Sequence, residues 1–341
     1  MVTLNSVLVV GPTGSVGLAL CKRLIEQLPS FKRIAAFNNT ERPAGPAKQA
    51  ILDELHQSGM EIVSGTYNDV SAFRGFEVVM MPLGNSGNFL QPQIIDTAIK
   101  AGIRHFYPSE FGGDITVGDN WNQRYYRDKV LTREYLQKCN SELRQHGDGI
   151  GWSLVCIGRF MEWSITPYFG WDHINHTAEI YGDENGRQSL IALDELVYHQ
   201  DLIFKIQTNV NDSVAAFTVL TLLDPFDVED SRSCQRTYRF SQSSPTWKEL
   251  FGIMEKVTGH PYRVTYRPVS EAQELQRRAK EMGDEKLESA ASHRLVQGTE
   301  GTLLPQPWDN SKFPEISKIR GVEEVLKEAF HSEKYKSFYG L

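Results

Sequence analysis

A glycine-rich turn near the start of the chain, Gly11-Pro-Thr-Gly14-Ser-Val-Gly17, most constrains what this sequence can fold into. It follows an apolar run, residues 6–10, that predicts a buried strand, and it opens a segment with apolar residues at helical spacing. In such a strand–turn–helix unit the first glycine permits the tight turn, the second admits a pyrophosphate, and the third lets the helix pack closely. The turn therefore predicts a dinucleotide site at the positive end of the helix. Its expected contact residues are Gly11, Thr13, Gly14, Ser15, Val16 and Gly17.

Short apolar runs alternate with helical patterns along the first half of the chain. Strands are predicted at residues 33–37, 61–64, 77–83, 104–107 and 152–157, and helices at about 16–28, 48–58 and 91–101. This alternation indicates βαβ crossovers and a parallel sheet. We predict an α/β fold, a Rossmann-type doubly wound parallel sheet. Residues 1–157 would form the NADP(H)-binding domain, and residues 158–341 the remaining sheet edge and a smaller C-terminal substrate lobe.

Bulk composition excludes several functional classes. The net charge of −7 argues against nucleic-acid binding, which needs a basic face. The four cysteines form no C-x-x-C pair, which favours reduced thiols in a cytosolic protein. No signal peptide or membrane-spanning run is visible, so we expect a cytoplasmic protein that does not bind membranes. His173 and His176 form an H-x-x-H pair without a third ligand at a convincing spacing, so we expect a surface or loop role and no metal.

The end of the second predicted strand bears on the choice of cofactor. NAD sites usually place a carboxylate there, whereas NADP sites offer a cation. Here the strand ends in Asn38 without a carboxylate, and Arg42 and Lys48 follow, which favours NADP(H). The alternative is that both cations are ordinary surface charges, since Glu41 adjoins Arg42. Asn85 follows the fourth predicted strand and is expected near the cofactor.

Three residues form a candidate catalytic set. Ser109 follows the fifth predicted strand, and Tyr125 and Lys129 form a Y-x-x-x-K pair that shares one face if both lie on a helix. A lysine there can hold the cofactor ribose and lower the pKa of a nearby phenol, which then acts as general acid. Ser109 would hydrogen-bond the substrate oxygen. The alternative is a chance match on an exposed helix.

Three segments resemble the NmrA-like, isoflavone-reductase-like family of atypical short-chain dehydrogenases/reductases: residues 11–17, 104–112 and 129–136. The resemblance extends through residues 152–163 and weakens after about residue 200. In plant reductases of this family the lysine matched by Lys129 is the proposed proton-transfer group, and the tyrosine is generally absent. Two mechanisms therefore stay open: Lys129 alone, or a pair with Tyr125. The family often has an arginine where this chain has Asn38, which leaves the 2′-phosphate to Arg42 or Lys48.

An aromatic-rich segment follows the last strong strand. The family resemblance implies that Phe160, Trp163 and Trp171 lie along a substrate pocket, with Phe160 also beside the nicotinamide. Such a pocket suits a flat aromatic substrate. Ordinary core packing is the alternative for all three.

The resemblance implies an NADPH-dependent reductase of a small aromatic or polyketide-like metabolite of secondary metabolism. Two alternatives stay open: a non-catalytic NADP(H)-sensing regulator, and an NADP(H)-dependent isomerase. A sensor has no need of a proton donor beside the nicotinamide, so Lys129 favours the enzyme. The oligomeric state is open, with a homodimer as one alternative.

Overall fold

The computed structural model describes residues 2–42, 45–193, 213–227, 230–316 and 319–341. The strands are β1 (Ser6–Val10), β2 (Arg33–Asn39), β3 (Glu61–Gly65), β4 (Val78–Met80), β5 (His105–Tyr107), β6 (Gly151–Cys156), β7 (Arg159–Phe160), β8 (Trp171–Asp172), β9 (Thr177–Tyr181), β10 (Leu190–Ile191), β11 (Gln235–Arg239) and β12 (Arg263–Arg267). The α-helices are α1 (Ser15–Glu26), α2 (Pro46–Gln57), α3 (Gln91–Lys100), α4 (Arg127–Arg144), α5 (Met161–Ser164), α6 (Val214–Leu223), α7 (Ser231–Cys234), α8 (Trp247–Thr258), α9 (Val269–Glu281), α10 (Glu285–Gly298), α11 (Val322–His331) and α12 (Glu333–Tyr339).

The chain divides into two compact units, each made of several segments. The first unit comprises Met1–Phe111, Asp128–Val155 and Ala215–Tyr238. The second comprises Gly112–Arg127, Cys156–Val214 and Arg239–Leu341. The sequence prediction divides the chain once, after residue 157, and that division stays a prediction.

A seven-stranded sheet in the order β3-β2-β1-β4-β5-β6-β11 forms the centre of the first unit. The pairs from β3 through β6 are all parallel. The strand order reverses between β1 and β4, which is where a doubly wound sheet opens a crevice at the carboxyl ends of its strands. The predicted Rossmann-type doubly wound parallel sheet is therefore confirmed.

Both faces of the central strand are covered. Every residue of β1 is buried. Leu8 and Val10 belong to one hydrophobic core with Ile94 of α3 and Leu136 of α4. Because side chains alternate along a strand, Val7 and Val9 are buried on the opposite face. This two-sided burial explains why the strand reads as a continuous apolar run rather than an alternating one.

Several predicted boundaries shift by a few residues. The largest change is in the fourth strand, predicted over residues 77–83, which is only Val78–Met80. Pro82 lacks an amide hydrogen and cannot continue the ladder, so the backbone leaves the sheet there. The predicted helices begin and end within three residues of α1, α2 and α3. Among the described residues, no helix combines the length and apolar character that crossing a membrane requires.

The second unit contains two small sheets and several helices. β9 lies between β12, parallel to it, and β8, antiparallel to it, while β7 pairs with β10 in parallel. Helix α8 begins with a capping box in which the side chains of Thr246 and Glu249 each accept the other's backbone amide. Helix α8 packs Leu250 and Met254 into a core shared with Trp171. This core positions the aromatic segment that precedes β8.

Candidate active site

The glycine turn has the geometry that an anion site at a helix N-terminus requires. Gly11 has φ of +101°, a conformation that residues with a side chain rarely adopt. A Cβ on Gly17 would lie 2.0 Å from the Gly11 carbonyl oxygen, so only glycine fits there. Gly14 is the N-cap of α1, no side chain caps the helix, and its first turn has no acidic residue. The positive end of α1 is thus left open to a ligand's negative charge.

The glycine turn contacts the segment after β4, and that segment is hydrogen-bonded to the segment after β5. A Cβ on Gly11 would lie 3.1 Å from Leu83 Cδ2, so the segment after β4 is packed against the turn. The Ser109 hydroxyl donates to the Leu83 carbonyl oxygen at 2.5 Å, and the Ser109 amide donates to Gln91 Oε1 at 2.7 Å. Because the hydroxyl hydrogen is directed at Leu83, the geometry favours a positioning role for Ser109 over the predicted hydrogen bond to substrate.

Lys129 lies on the first turn of α4 and reaches the segment after β5. Its half-buried ammonium group donates to the backbone carbonyl of Glu110. One helical turn later, Arg133 Nε lies 2.6 Å from Glu110 Oε1, and both of these side chains are buried. Phe111 then has a positive φ of 22°, which is unusual for a residue with a side chain. Two cations of α4 therefore fix the segment that leaves β5, and Lys129 is held at the carboxyl edge of the sheet.

Tyr125 does not lie on the helix that carries Lys129. It belongs to a 3-10 turn, Arg124–Tyr126, and α4 begins only at Arg127. Tyr125 therefore precedes the first residue of α4 by two positions, and its pairing with Lys129 stays a prediction. Within the second unit, the Tyr125 ring lies 4.8 Å from the His293 ring, and its amide donates to Ser292 Oγ at 3.0 Å. The turn is thus shaped by a partner distant in sequence, which an i to i+4 pattern cannot reveal.

The end of β2 carries amides and exposed cations. Asn38 Nδ2 donates to Ser64 Oγ of β3 at 3.3 Å, and Arg42 and Lys48 are both exposed. Burial raises the pKa of Tyr67, and the charge of Arg42 acts in the opposite direction. Arg42 therefore lies close enough to Tyr67 for its charge to affect the pKa of that phenol. The contact of either cation with a 2′-phosphate stays a prediction, as does the cofactor contact of exposed Asn85.

The predicted pocket aromatics separate into two groups within the second unit. The rings of Phe160 and Trp163 meet edge to face, with centroids 5.0 Å apart. Trp171 is 2% exposed and stacks on Phe251 with centroids 4.2 Å apart, which places it in the core. The core alternative therefore fits Trp171 better than a pocket role. The pocket roles of Phe160 and Trp163 stay predictions.

His173 lies in the turn between β8 and β9, as expected of a loop residue, but it is buried rather than at the surface. Its Nδ1 lies 2.7 Å from the Tyr262 hydroxyl, and its Nε2 lies 2.7 Å from the Ile165 carbonyl oxygen. Burial lowers the pKa of His173. Both ring nitrogens are occupied by the fold, which explains why the polar side chain tolerates burial.

Comparison with known proteins agrees with the resemblance read from the motifs. Residues 3–145 match the model of the NmrA-like family. The chain is 24% identical to an isoflavone reductase of Medicago sativa over 288 residues, which cover 81% of this chain and 82% of that protein. Residues 3–145 are thus similar to the NmrA-like family, and most of the chain is similar to an isoflavone reductase. An oxidoreductase of Aspergillus flavus, aprR, is 31% identical over 122 residues, 35% of this chain. That match spans only 39% of the Aspergillus protein.

A solved structure gives a likeness over nearly the whole chain. The binary complex of leucoanthocyanidin reductase with NADPH from Vitis vinifera is 20% identical, with a TM-score of 0.68. The alignment covers 96% of this chain and 99% of that one. At this identity the likeness concerns the fold alone.

Sequence reasoning missed two residues that hold this part of the NmrA-like chain together. Arg133 pairs with Glu110, and Gln91 accepts from the Ser109 amide. A signal for Arg133 was present, since it follows Lys129 at the four-residue spacing that puts both on one face of α4. Gln91 had no local signal, because its partner lies eighteen residues away in the chain.

Proposed function

We propose that this NmrA-like chain is an NADPH-dependent reductase of a small aromatic or polyketide-like metabolite, with Lys129 as the proton-transfer group. The observation that carries the proposal is the position of Lys129, held by the Glu110 carbonyl at the sheet edge where the glycine turn also lies. The names of the relatives, an isoflavone reductase and an oxidoreductase, support the reaction class.

The residues at the sheet edge fit a dinucleotide. The uncapped start of α1 would hold the pyrophosphate, since its amides point outward and Gly17 leaves room for the close turn. Arg42 and Lys48, beyond the end of β2, would hold the 2′-phosphate. When bound, the reduced nicotinamide supplies the hydride.

The chain's own contribution to the chemistry is proton transfer and positioning. Negative charge develops on the substrate oxygen as its carbon is reduced, and a nearby ammonium stabilises that charge and can donate the proton. The Glu110 carbonyl fixes where the Lys129 ammonium stands. The Arg133–Glu110 ion pair fixes the carbonyl's own segment in turn. Lys129 is therefore the catalytic residue in this proposal, and Arg133 is a positioning residue.

A turnover assay tests the reductase proposal. The protein is incubated with NADPH and a panel of aromatic ketones, quinones, imines and benzylic ethers while absorbance of the reduced cofactor is followed. We expect at least one class to consume NADPH in proportion to enzyme concentration. Tight NADPH binding without consumption across the panel would favour the NADP(H)-sensing alternative instead. Conversion of a substrate without net loss of NADPH would favour the isomerase.

The cofactor preference is expected to depend on Arg42. Replacing Arg42 by Ala should reduce the preference for NADPH over NADH about tenfold or more, because a charged hydrogen bond contributes about 1.5–3 kcal/mol. Adding Lys48→Ala should reduce it further. The measurement is the ratio of the two dissociation constants by fluorescence titration. Lys100→Ala, an exposed lysine at the end of α3, is the control and should leave the ratio unchanged. A preference that survives the double variant would refute these assignments.

Tyr125→Phe is expected to change kcat with an uncharged panel substrate by less than about threefold, well below the effect of losing a general acid. The physical reason is that Tyr125 precedes α4 and packs against His293 through its ring, which phenylalanine preserves. Steady-state kinetics measure the effect. A loss as large as that caused by removing Lys129 would revive the tyrosine–lysine pair.

A further inference from the structure

Arg159, in the second unit, is a buried cation without a hydrogen-bond partner in the part of the chain that the structure describes. It lies on β7 and is 5% exposed. None of its three guanidinium nitrogens has a hydrogen-bond partner among the residues that the structure describes. Removing a charge from water costs several kcal/mol unless a counter-charge or hydrogen bonds compensate. A guanidinium kept in this state lowers the stability of the fold, which points to a role outside folding.

Aromatic rings, rather than carboxylates, surround this guanidinium. Its Cζ lies 4.6 Å from the Phe169 ring centroid. The ring centroid of His293 lies 4.8 Å from that of Phe169 and 4.7 Å from that of Tyr168. The Tyr125 ring centroid lies 4.8 Å from that of His293. We call these five residues, Arg159, Phe169, His293, Tyr168 and Tyr125, the Arg159 cluster. Tyr168 is 58% exposed, so the cluster reaches from a buried cation to the surface.

The charges within the Arg159 cluster leave one positive charge uncompensated. Burial lowers the pKa of Arg159 to about 10, and the groups that act against this are the phenols of Tyr126, Tyr125 and Tyr168. A guanidinium with that pKa is still cationic at neutral pH. Burial and the nearby arginines hold the pKa of His293 well below its usual value, so its ring is neutral there. A monoanion would therefore neutralise the buried Arg159 guanidinium, with the half-buried Arg294 as a second cation beside the rings of His293 and Tyr168.

A second polar side chain without a hydrogen-bond partner among the described residues is Gln188, in the segment that leads into β10. Arg159 is the register partner of Leu190 on β10. Gln188, two residues before Leu190, is 2% exposed, and neither its side-chain oxygen nor its nitrogen has a partner among the described residues. Buried polar groups are normally hydrogen-bonded, so a second such group, two residues before the partner strand of Arg159, is a further indication of a missing ligand.

We propose that the Arg159 cluster binds the carboxylate of a small aromatic acid. The planar guanidinium fork matches the two oxygens of a carboxylate and can bind both at once. Phe169 and Tyr168 offer ring faces and edges to a flat aromatic body. A monoanion also balances the charge of the buried Arg159 guanidinium. The proposal concerns binding alone and does not depend on the proposed reductase activity.

Direct binding of simple probes tests the proposal. Calorimetric titration compares benzoate with benzamide, which has the same ring and size but no charge, and with inorganic phosphate. We expect benzoate to bind at least tenfold more tightly than benzamide or phosphate. Equal binding of benzoate and benzamide would overturn the carboxylate assignment. Tighter binding of phosphate would show an anion site of a different kind and would also overturn it.

Three variants assign the binding to Arg159. Arg159→Met should reduce benzoate affinity at least tenfold, and Arg159→Lys, which keeps the charge but not the fork, should give an intermediate loss. Arg263→Met, an exposed arginine on β12, should bind benzoate as the unmodified protein does. Without ligand, Arg159→Met should melt at the same or a higher temperature than the unmodified protein, because an unpaired buried charge has been removed. A lower melting temperature, or failure to fold, would show that Arg159 is a structural residue and overturn the proposal. Unchanged benzoate affinity in Arg159→Met would overturn it as well.

Discussion

Lys129→Met is expected to reduce kcat about 10³-fold while the protein stays folded and binds NADPH within about tenfold of its original affinity. A positioned general acid typically contributes 10²–10⁴ in rate, and methionine keeps the length of the side chain without its proton. The hydrogen bond from Lys129 to the Glu110 carbonyl is also lost, but Arg133 still pairs with the Glu110 carboxylate, so the segment after β5 should keep its place. Steady-state turnover and NADPH fluorescence titration measure the two effects separately.

The matched control for this variant is Lys138→Met on the same helix. Lys138 is exposed and forms only an i to i+4 ion pair with Glu142 at 3.9 Å, of the kind that contributes a few tenths of a kcal/mol. Its kcat should be unchanged. If Lys129→Met retained more than about a tenth of the activity, Lys129 would not be the proton-transfer group. If instead Lys129→Met lost NADPH binding altogether, the lysine would be a cofactor ligand rather than an acid.

Gly17→Ala is expected to weaken both the fold and the cofactor site. Its Cβ would stand 2.0 Å from the Gly11 carbonyl oxygen and 2.9 Å from the Gly11 carbonyl carbon, which are backbone atoms that cannot swing away. Relieving such overpacking costs typically about 1–3 kcal/mol of unfolding free energy. Because the turn itself must move, NADPH affinity should fall at least tenfold. Denaturant unfolding and NADPH titration measure the two losses.

Two further glycines separate these effects. A Cβ on Gly14 would meet its nearest atom at 3.6 Å, so Gly14→Ala should fold normally but weaken NADPH binding by crowding the pyrophosphate. Gly45, the N-cap of α2, has no atom within 4 Å of an added Cβ, so Gly45→Ala reports the cost of alanine at a helix start alone. Stability of Gly17→Ala equal to that of Gly45→Ala would contradict the steric argument. Equal NADPH affinity of Gly14→Ala and Gly45→Ala would contradict the pyrophosphate site.

Local patterns predicted the strand and the helix on either side of the glycine turn well. The apolar run before Gly11 and the helical spacing after it correspond to β1 and α1. Such features depend on neighbours in the chain, because strand burial, turn conformation and helix initiation are set within a few residues. The position of Lys129 in the chain, after the fifth strand, also predicted that it lies beyond the end of that strand. The hydrogen bond that fixes it to Glu110 came only from the structure.

The structure differs from the local pattern where a residue contacts a partner distant in the chain. Y-x-x-x-K predicts a helical pair, whereas Tyr125 lies in a 3-10 turn before α4 and its amide donates to Ser292, far along the chain. Trp171 belongs to an aromatic-rich run that suggested a pocket, yet Phe251 covers it. His173 appeared to be a surface residue, and its contacts with Tyr262 and Ile165 place it inside.

The sequence by itself determined the glycine turn, the parallel α/β architecture and the resemblance to the NmrA-like family. These follow from the steric limits of glycine and from the periodicity of burial, which are properties of short segments. Only the tertiary structure decided which charged side chains are buried and which of them form ion pairs. Arg133 is buried with a carboxylate, whereas Arg159 is buried without a hydrogen-bond partner among the residues described. Whether a charge is paired depends on which residues the fold brings beside it, and no local pattern in the chain records that.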